Sequence, residues 1–395
     1  MEGLICREAT PDDVDDVLAV RNAIFPPLTP EQWFADPTMT CAMAYLDGEP
    51  VGAIPLSERD FKIAPGAVIK TAFENAVGTR EDMRSKGVGT AVISAAKEFL
   101  AGRCDELMIY RGAERSPGYR FYERSGHKDL IYLRSLTLDE PQRREVDSAV
   151  RGLPEIHALQ PELLECFEAT YGHCGGFPVR HETYWQQQLA SQIYEVIPSD
   201  FHIIRTPATG PLQGYAIAGI RAAEKQDDGT IQLMEIAGKT PEMIQQALLG
   251  LEDFAAQQQR NIGTRGSADH PVLTTFRKLG YVEGLRHTMI MGQPLDPAEL
   301  FGKVCADVDA LSDLNIDFWA PFGDGTLHEG PNARTEITLE GKDQTVYRLL
   351  NRRLDVRAAV ATEWLTVRNG TPEIIDRLAA AFPYSPWVYH HIDYV

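Results

Sequence analysis

The chain has no run of about 18 apolar residues, the length a helix needs to cross a bilayer. Its first residues, Met1 to Glu8, also lack the cationic start and long apolar segment of a secretory signal. A cytoplasmic location and no membrane partner are therefore expected. Cysteine is scarce: Cys6, Cys41, Cys104, Cys166, Cys174 and Cys305 are scattered over 395 residues without a repeated short spacing. That pattern indicates neither a disulfide framework nor a zinc site. His173 sits beside Cys174, but two further ligands at sensible spacing are missing, so no metal is expected. Positive charge is also short, with 38 Lys and Arg against 57 Asp and Glu, a formal balance of −19. Such a balance argues against general binding to a phosphate backbone, and nucleic acid is not an expected partner. It could steer a cationic amine toward the protein, or it could simply be a solvated acidic surface.

What remains is an ordinary globular composition, 44% hydrophobic and 24% charged, too long for one core. Three domains are expected, over residues 1–145, 146–296 and 297–395. Near the start, Thr10-Pro11-Asp12-Asp13 reads as a helix opening, with Thr as cap, Pro at the first helical position and carboxylates in the first turn. Asp47-Gly48-Glu49-Pro50 separates strand candidates at 41–46 and 51–56, which predicts a hairpin.

The informative stretch follows. Residues 68–79 read as one strand, Arg80 to Lys86 as a polar loop, and Val88, Ala91, Val92, Ala95, Ala96, Phe99 and Leu100 as the apolar stripe of a helix. Gly87 and Gly89 permit close backbone approach, and the first N–H groups of the helix lack intrahelical partners. With Arg80, Arg84 and Lys86 alongside, the loop is a candidate seat for a pyrophosphate. A Walker loop is absent, and the dinucleotide fingerprint would need a third glycine where Val92 stands.

The second region repeats this grammar, with strands expected near 201–205, 213–219 and 231–237 and a helix from Pro241. Thr275-Phe-Arg-Lys-Leu-Gly-Tyr281 echoes Phe121-Tyr-Glu-Arg-Ser-Gly-His127, with Phe276 where the first copy has Tyr122. The glycine and arginine loop is missing from this copy, since Gly238 leads straight into Lys239-Thr240-Pro241. The copy is expected to be structural. The last region is expected to be a small mixed domain, with strands near 335–339 and 364–368 and helices near 343–350 and 372–381.

Arg84-Ser85-Lys86-Gly87-Val88-Gly89, taken with Phe121-Tyr122-Glu-Arg-Ser-Gly126, resembles the loop and the later tyrosine motif of the GNAT superfamily of N-acetyltransferases. The order of regions is similar to the enhanced intracellular survival family of aminoglycoside and lysine acetyltransferases. That resemblance implies an α/β (α+β) fold of two tandem GNAT-type mixed-sheet domains, the second degenerate, followed by a sterol-carrier-protein-like α/β domain. It also implies acetyl-CoA as co-substrate, a primary amine as acceptor and a homohexamer.

By the same resemblance, Val77, Gly78 and Thr79 bind the pantetheine arm, and Arg84, Ser85, Lys86, Gly87, Val88, Gly89 and Thr90 serve the pyrophosphate, with 116–118 also near the cofactor. Tyr122 is then the general acid and the carboxylate of Val395 the base, although the family commonly ends in phenylalanine. Glu74 is an alternative base on the strand before the loop. His390 and His391 either line the amine pocket or cap a surface tail, the simpler reading. The contrasting expectation is a non-catalytic module that binds an acyl-CoA or a lipid.

Overall fold

The computed structural model describes all residues except Pro26, 112–116, 191–195, 221–229, 321–322, 343 and 395. Packing divides the chain into two compact units, one of residues 1–131 and 288–384, the other of 132–287 and 385–394.

The first unit opens with β1 (Leu4–Glu8), α1 (Val14–Asn22), α2 (Pro30–Ala35), β2 (Met39–Leu46), β3 (Glu49–Ala64) and β4 (Ala67–Glu74). After these come β5 (Gly78–Thr79), α3 (Val88–Leu100), β6 (Glu106–Tyr110) and α4 (Pro117–Arg124). The expected opening at Thr10 is a single 3-10 turn before α1, where the Asp13 carboxylate accepts from both the N–H and the hydroxyl of Thr10. The β2–β3 hairpin turns at Asp47-Gly48, both residues at positive φ, which matches the twist of the strands it joins. β1 to β4 pair antiparallel in sequence order, and β4 pairs parallel with β6. The apolar stripe of α3 lies on this sheet: Val88, Val92, Ile93, Ala96 and Leu100 pack with Ala42, Ala44, Val51, Ile54, Leu56, Ala72 and Leu107. Full burial of each such aliphatic side chain contributes about 1.5–3 kcal/mol, which holds the N-terminus of α3 in a fixed place over the strands.

The terminal strand of each sequence half is exchanged. Ile290 to Pro294 pair antiparallel with Tyr110 to Glu106 in the first unit. Leu133 to Leu138 pair antiparallel with Ser267 to Ile262 in the second. Each unit is therefore discontinuous in sequence.

The rest of the first unit contains a four-stranded sheet in the order 323–329, 314–320, 335–341, 365–368, with helices Pro297–Val304, Thr345–Leu350, Val356–Ala361 and Pro372–Ala381. The hairpin 314–329 was not expected from the sequence, because Gly323 and Gly325 and a run of exposed polar residues weaken its alternation. Within this unit Glu106 is fully buried. Tyr347 donates to one of its oxygens at 3.1 Å and Asn351 to the other at 2.8 Å.

Burial pushes the Glu106 carboxyl up to about 8 against the opposing pull of those two donors. The folded chain therefore keeps a proton that the unfolded chain loses above the usual carboxylate range. It binds more protons over that window, so this contribution is complete at low pH and is lost as pH rises toward 8. The stability difference between wild type and Glu106→Gln is expected to fall by about 1.4 kcal/mol per pH unit between roughly pH 5 and 8. Urea denaturation of both proteins across that range measures it; a constant difference would mean that Glu106 is ionised in the folded chain.

In the second unit, strands 149–152, 201–206, 214–220, 230–238, 261–267 and 133–138 lie side by side, with the helix Pro241–Gln258 packed on them. The segment 385–394 belongs to this unit's interior: Trp387, His390, His391 and Asp393 are all at least 97% buried. The surface-tail reading of His390 and His391 is corrected by that burial. Aromatic residues Phe167, Tyr171 and Phe177 surround the His390 ring.

Candidate active site

The single strand expected over 68–79 is broken, and the break makes the site. β4 pairs with β6 only from Thr71 with Glu106 to Glu74 with Ile109. The Asn75 N–H then turns to the Pro55 carbonyl at 2.8 Å, and Ala76 takes a φ of 42°. Beyond it, Gly78 and Thr79 pair with Ala53 and Gly52 of β3. Among the described residues no strand pairs with β5 on its other side. The sheet thus splays between β5 and the end of β6, leaving backbone groups of 77–79 at the edge of a cleft. An extended amide-bearing chain can add to such an edge as a strand would.

At the mouth, Gly87 caps α3 with a φ of 88° and no side chain occupies the cap. The first return bond of the helix is Ala91 N–H to Gly87 O, so the N–H groups of Val88, Gly89 and Thr90 are not used by the helix. Arg84, Ser85, Lys86, Gly87 and Thr90 are exposed around them, while Val88 is buried in the core. Arg84 Nε reaches the Thr79 carbonyl at 3.4 Å, which ties the loop to the splayed strand. Arg80 is paired with Asp82 at 2.7 Å, and its charge is largely spent there. A Cβ on Gly89 would lie 3.1 Å from two ring atoms of Phe121, so this turn approaches α4 closely. The corresponding helix of the second half differs: Pro241 occupies its first turn and the Thr240 hydroxyl accepts from the Met243 N–H. Its N-terminus is already capped.

Tyr122, on α4, is 6% exposed and packs in the cluster that includes Ala72, Val88, Val92 and Ile109, with Val77 at its edge. Its ring meets Phe121 and His127 edge-on at 5.2 and 5.3 Å. Residues Val77, Gly78, Thr79, Arg84 to Thr90 and Tyr122 all belong to the first unit. Val395 and Ser116 lie outside the described residues.

Two residues escaped the sequence reading. His127, directly after the tyrosine motif, places Nε2 2.8 Å from Glu74 Oε1, and both side chains are fully buried. Gln293, on the exchanged strand, places Nε2 3.1 Å from His127 Nδ1. Glu74, the alternative base, is thus turned to a buried partner and not to solvent. No local signal in the sequence brings positions 74, 127 and 293 together.

Residues 11–127 match the family model for the acetyltransferase (GNAT) family. This first domain is a GNAT acetyltransferase domain. Several solved structures share the fold over nearly the whole chain. One is a conserved protein of unknown function, a probable N-acyltransferase, from Enterococcus faecalis V583, with 14% identity, 99% of this chain and 100% of that chain covered, and a TM-score of 0.73. A GCN5-related N-acetyltransferase from Anabaena variabilis has 14% identity, 99% and 100% coverage, and a TM-score of 0.69. Eis1 from Mycobacterium abscessus has 12% identity, 98% and 99% coverage, and a TM-score of 0.63. Among curated proteins, no sequence matches the chain. Identities this low speak for the fold, while the family match speaks for the chemistry of the GNAT domain: the chain carries an acyltransferase domain. Among the described residues, no helix is long and apolar enough to cross a membrane.

Proposed function

We propose that the chain transfers acetyl from acetyl-CoA to a primary amine by direct attack, without a covalent enzyme intermediate. The observation that carries this reading is the pairing of an uncapped α3 N-terminus with the splay beside it, both within the GNAT domain. A pyrophosphate would accept from the N–H groups of Val88 to Thr90 and the pantetheine arm would run along 77–79.

The amine must be neutral to attack, and a free alkyl ammonium has a pKa of about 10, so a base or a desolvating acidic site has to take its proton. The nitrogen bonds to the acetyl carbon, the carbon–sulfur bond breaks, and the Tyr122 phenol gives its proton to the departing thiolate. In this proposal Val395 supplies the base by resemblance alone; a version lengthened beyond Val395 that turns over normally would remove it. The hexamer is proposed on the same ground, and light scattering of the purified protein would measure it.

The direct test is release of free CoA thiol from acetyl-CoA in the presence of aminoglycosides, polyamines or lysine peptides. Amine-dependent release supports the reading and gives the acceptor class; cofactor binding without release on any amine favours the binding module. Gly89→Val is expected to weaken CoA binding by roughly tenfold, the value of one or two lost hydrogen bonds, because its side chain would push the α3 turn off Phe121. Calorimetric titration with CoA checks this, and unchanged affinity would place the pyrophosphate elsewhere.

A further inference from the structure

A carboxylate and an imidazole fully removed from water are costly to keep, and nothing in the transfer chemistry above employs them. Glu74 is the last residue of β4 to pair with β6, so it stands where the two strands begin to part. Its Oε1 approaches His127 Nε2 at 2.8 Å, off the line that a hydrogen bond prefers, and neither carboxylate oxygen has a directed hydrogen bond among the described residues. The His127 ring is therefore the nearest polar group to the Glu74 carboxylate. The Gln293 amide Nε2 meets Nδ1 of the ring at 3.1 Å, and the ring Nε2 faces the carboxylate. Lys97, whose Nζ donates to the Ser125 carbonyl at 3.1 Å, adds a positive charge felt by Glu74.

The other side of the imidazole is the Tyr122 ring, edge-on at 5.3 Å with planes 77° apart. The His127 N–H also donates to the Tyr122 carbonyl at 3.0 Å, as does the Ser125 N–H. Gly126 between them has a φ of 103°, and a Cβ there would stand 2.7 Å from Gln293 Oε1. Backbone and side chain of His127 thus both bear on Tyr122, one through the end of α4 and one through the ring. The imidazole in turn is fixed from two sides, by β4 and by the exchanged strand.

We propose that Glu74, His127 and Gln293 form a positioning unit that fixes the Tyr122 ring at the root of the cleft. The inference rests on Tyr122 being the proton donor of the proposed transfer. It gives the strand exchange a role, since the second half of the sequence delivers Gln293 to the domain that does the chemistry. A few tenths of an ångström at the phenol matter because misplacing a catalytic group by about 1 Å can cost on the order of a hundredfold in rate.

The test compares His127→Phe, Glu74→Gln and the double variant with wild type in kcat, KM for acetyl-CoA, melting temperature and the ring resonances of Tyr122 in tyrosine-labelled protein. His127→Phe keeps a ring but leaves Glu74 buried without its partner, so a lower melting temperature is expected together with a kcat reduced at least about tenfold. KM should stay within about twofold, because the α3 seat is untouched. The double variant removes the stranded charge and is expected to recover the melting temperature while kcat stays low and the Tyr122 resonances stay displaced. Recovery of kcat along with stability, or an unchanged kcat in His127→Phe, would overturn the proposal. If wild type shows no turnover on any amine, the ring resonances still decide: displacement in both His127 variants upholds the positioning and sinks only the transfer reading, whereas unmoved resonances sink the positioning.

Discussion

Replacing Arg180 by methionine is expected to destabilise the second unit by about 3–5 kcal/mol, because the substitution strands two buried carboxylates. The Arg180 Nη2 lies 2.7 Å from Glu235 Oε2 and 2.6 Å from Asp393 Oδ1, and all three side chains are at least 99% buried. Trp185 and Tyr215 both donate to Glu235 Oε1, at 2.6 and 2.7 Å, and Tyr184 donates to Asp393 at 2.7 Å. The guanidinium lies over the Tyr184 ring at 4.0 Å and the Phe167 ring at 4.6 Å. Burial pushes the Asp393 carboxyl up to about 6 even beside Arg180, which shows how little surplus the site has. At about 2–4 °C per kcal/mol for a unit of this size, the melting temperature should drop by roughly 10 °C. Adding Glu235→Gln and Asp393→Asn to Arg180→Met removes the stranded charges and should recover much of the loss, since replacing a whole buried ionic group is often near neutral. A single variant that melts within a degree or two of wild type would mean that water reaches Glu235 and Asp393 and solvates them.

That ionic knot also marks the limit of what the sequence disclosed. Positions 180, 235 and 393 are separated by more than a hundred residues in one case, and no periodicity links them. The tail from Pro386 onward reads as aromatic and could as well be solvent-exposed; in the structure Val388 and Ile392 join the second unit's core and Asp393 meets Arg180. Local signals fared better. The helix from Val88 follows from apolar spacing, and the helix expected near 372–381 is found at Pro372–Ala381. These elements are set by interactions within a few residues, which a single sequence contains.

The cleft was legible in part. Glycine spacing marked the start of α3, and the backbone there has a positive φ at Gly87 and no side-chain cap. The splay at Asn75 and Ala76 was not legible, because a strand leaving one partner for another keeps its alternation and leaves no compositional trace. Strand exchange is hidden for the same reason: only pairing reveals which half 133–138 and 290–294 each complete.

Tyr122→Phe is expected to lower kcat by about a hundredfold while leaving CoA affinity within twofold. The size follows from the leaving group. A thiol has a pKa of about 8.5 and a phenol of about 10, so the thiolate is itself a fair leaving group near neutral pH and the proton saves only part of the barrier. An effect of several thousandfold would require a far poorer leaving group. The ring contacts with Phe121 and His127 need only the aromatic face and edge, so the change leaves them in place. In the sequence echo of the second half, Phe276 stands where Tyr122 does and is 1% exposed. A phenylalanine ring fills the packing place there without a hydroxyl. Stopped-assay and single-turnover measurements of CoA release from the Tyr122→Phe protein separate chemistry from product release. Turnover within threefold of wild type would mean that the thiolate departs unaided, and Tyr122 would then be a packing residue like its counterpart.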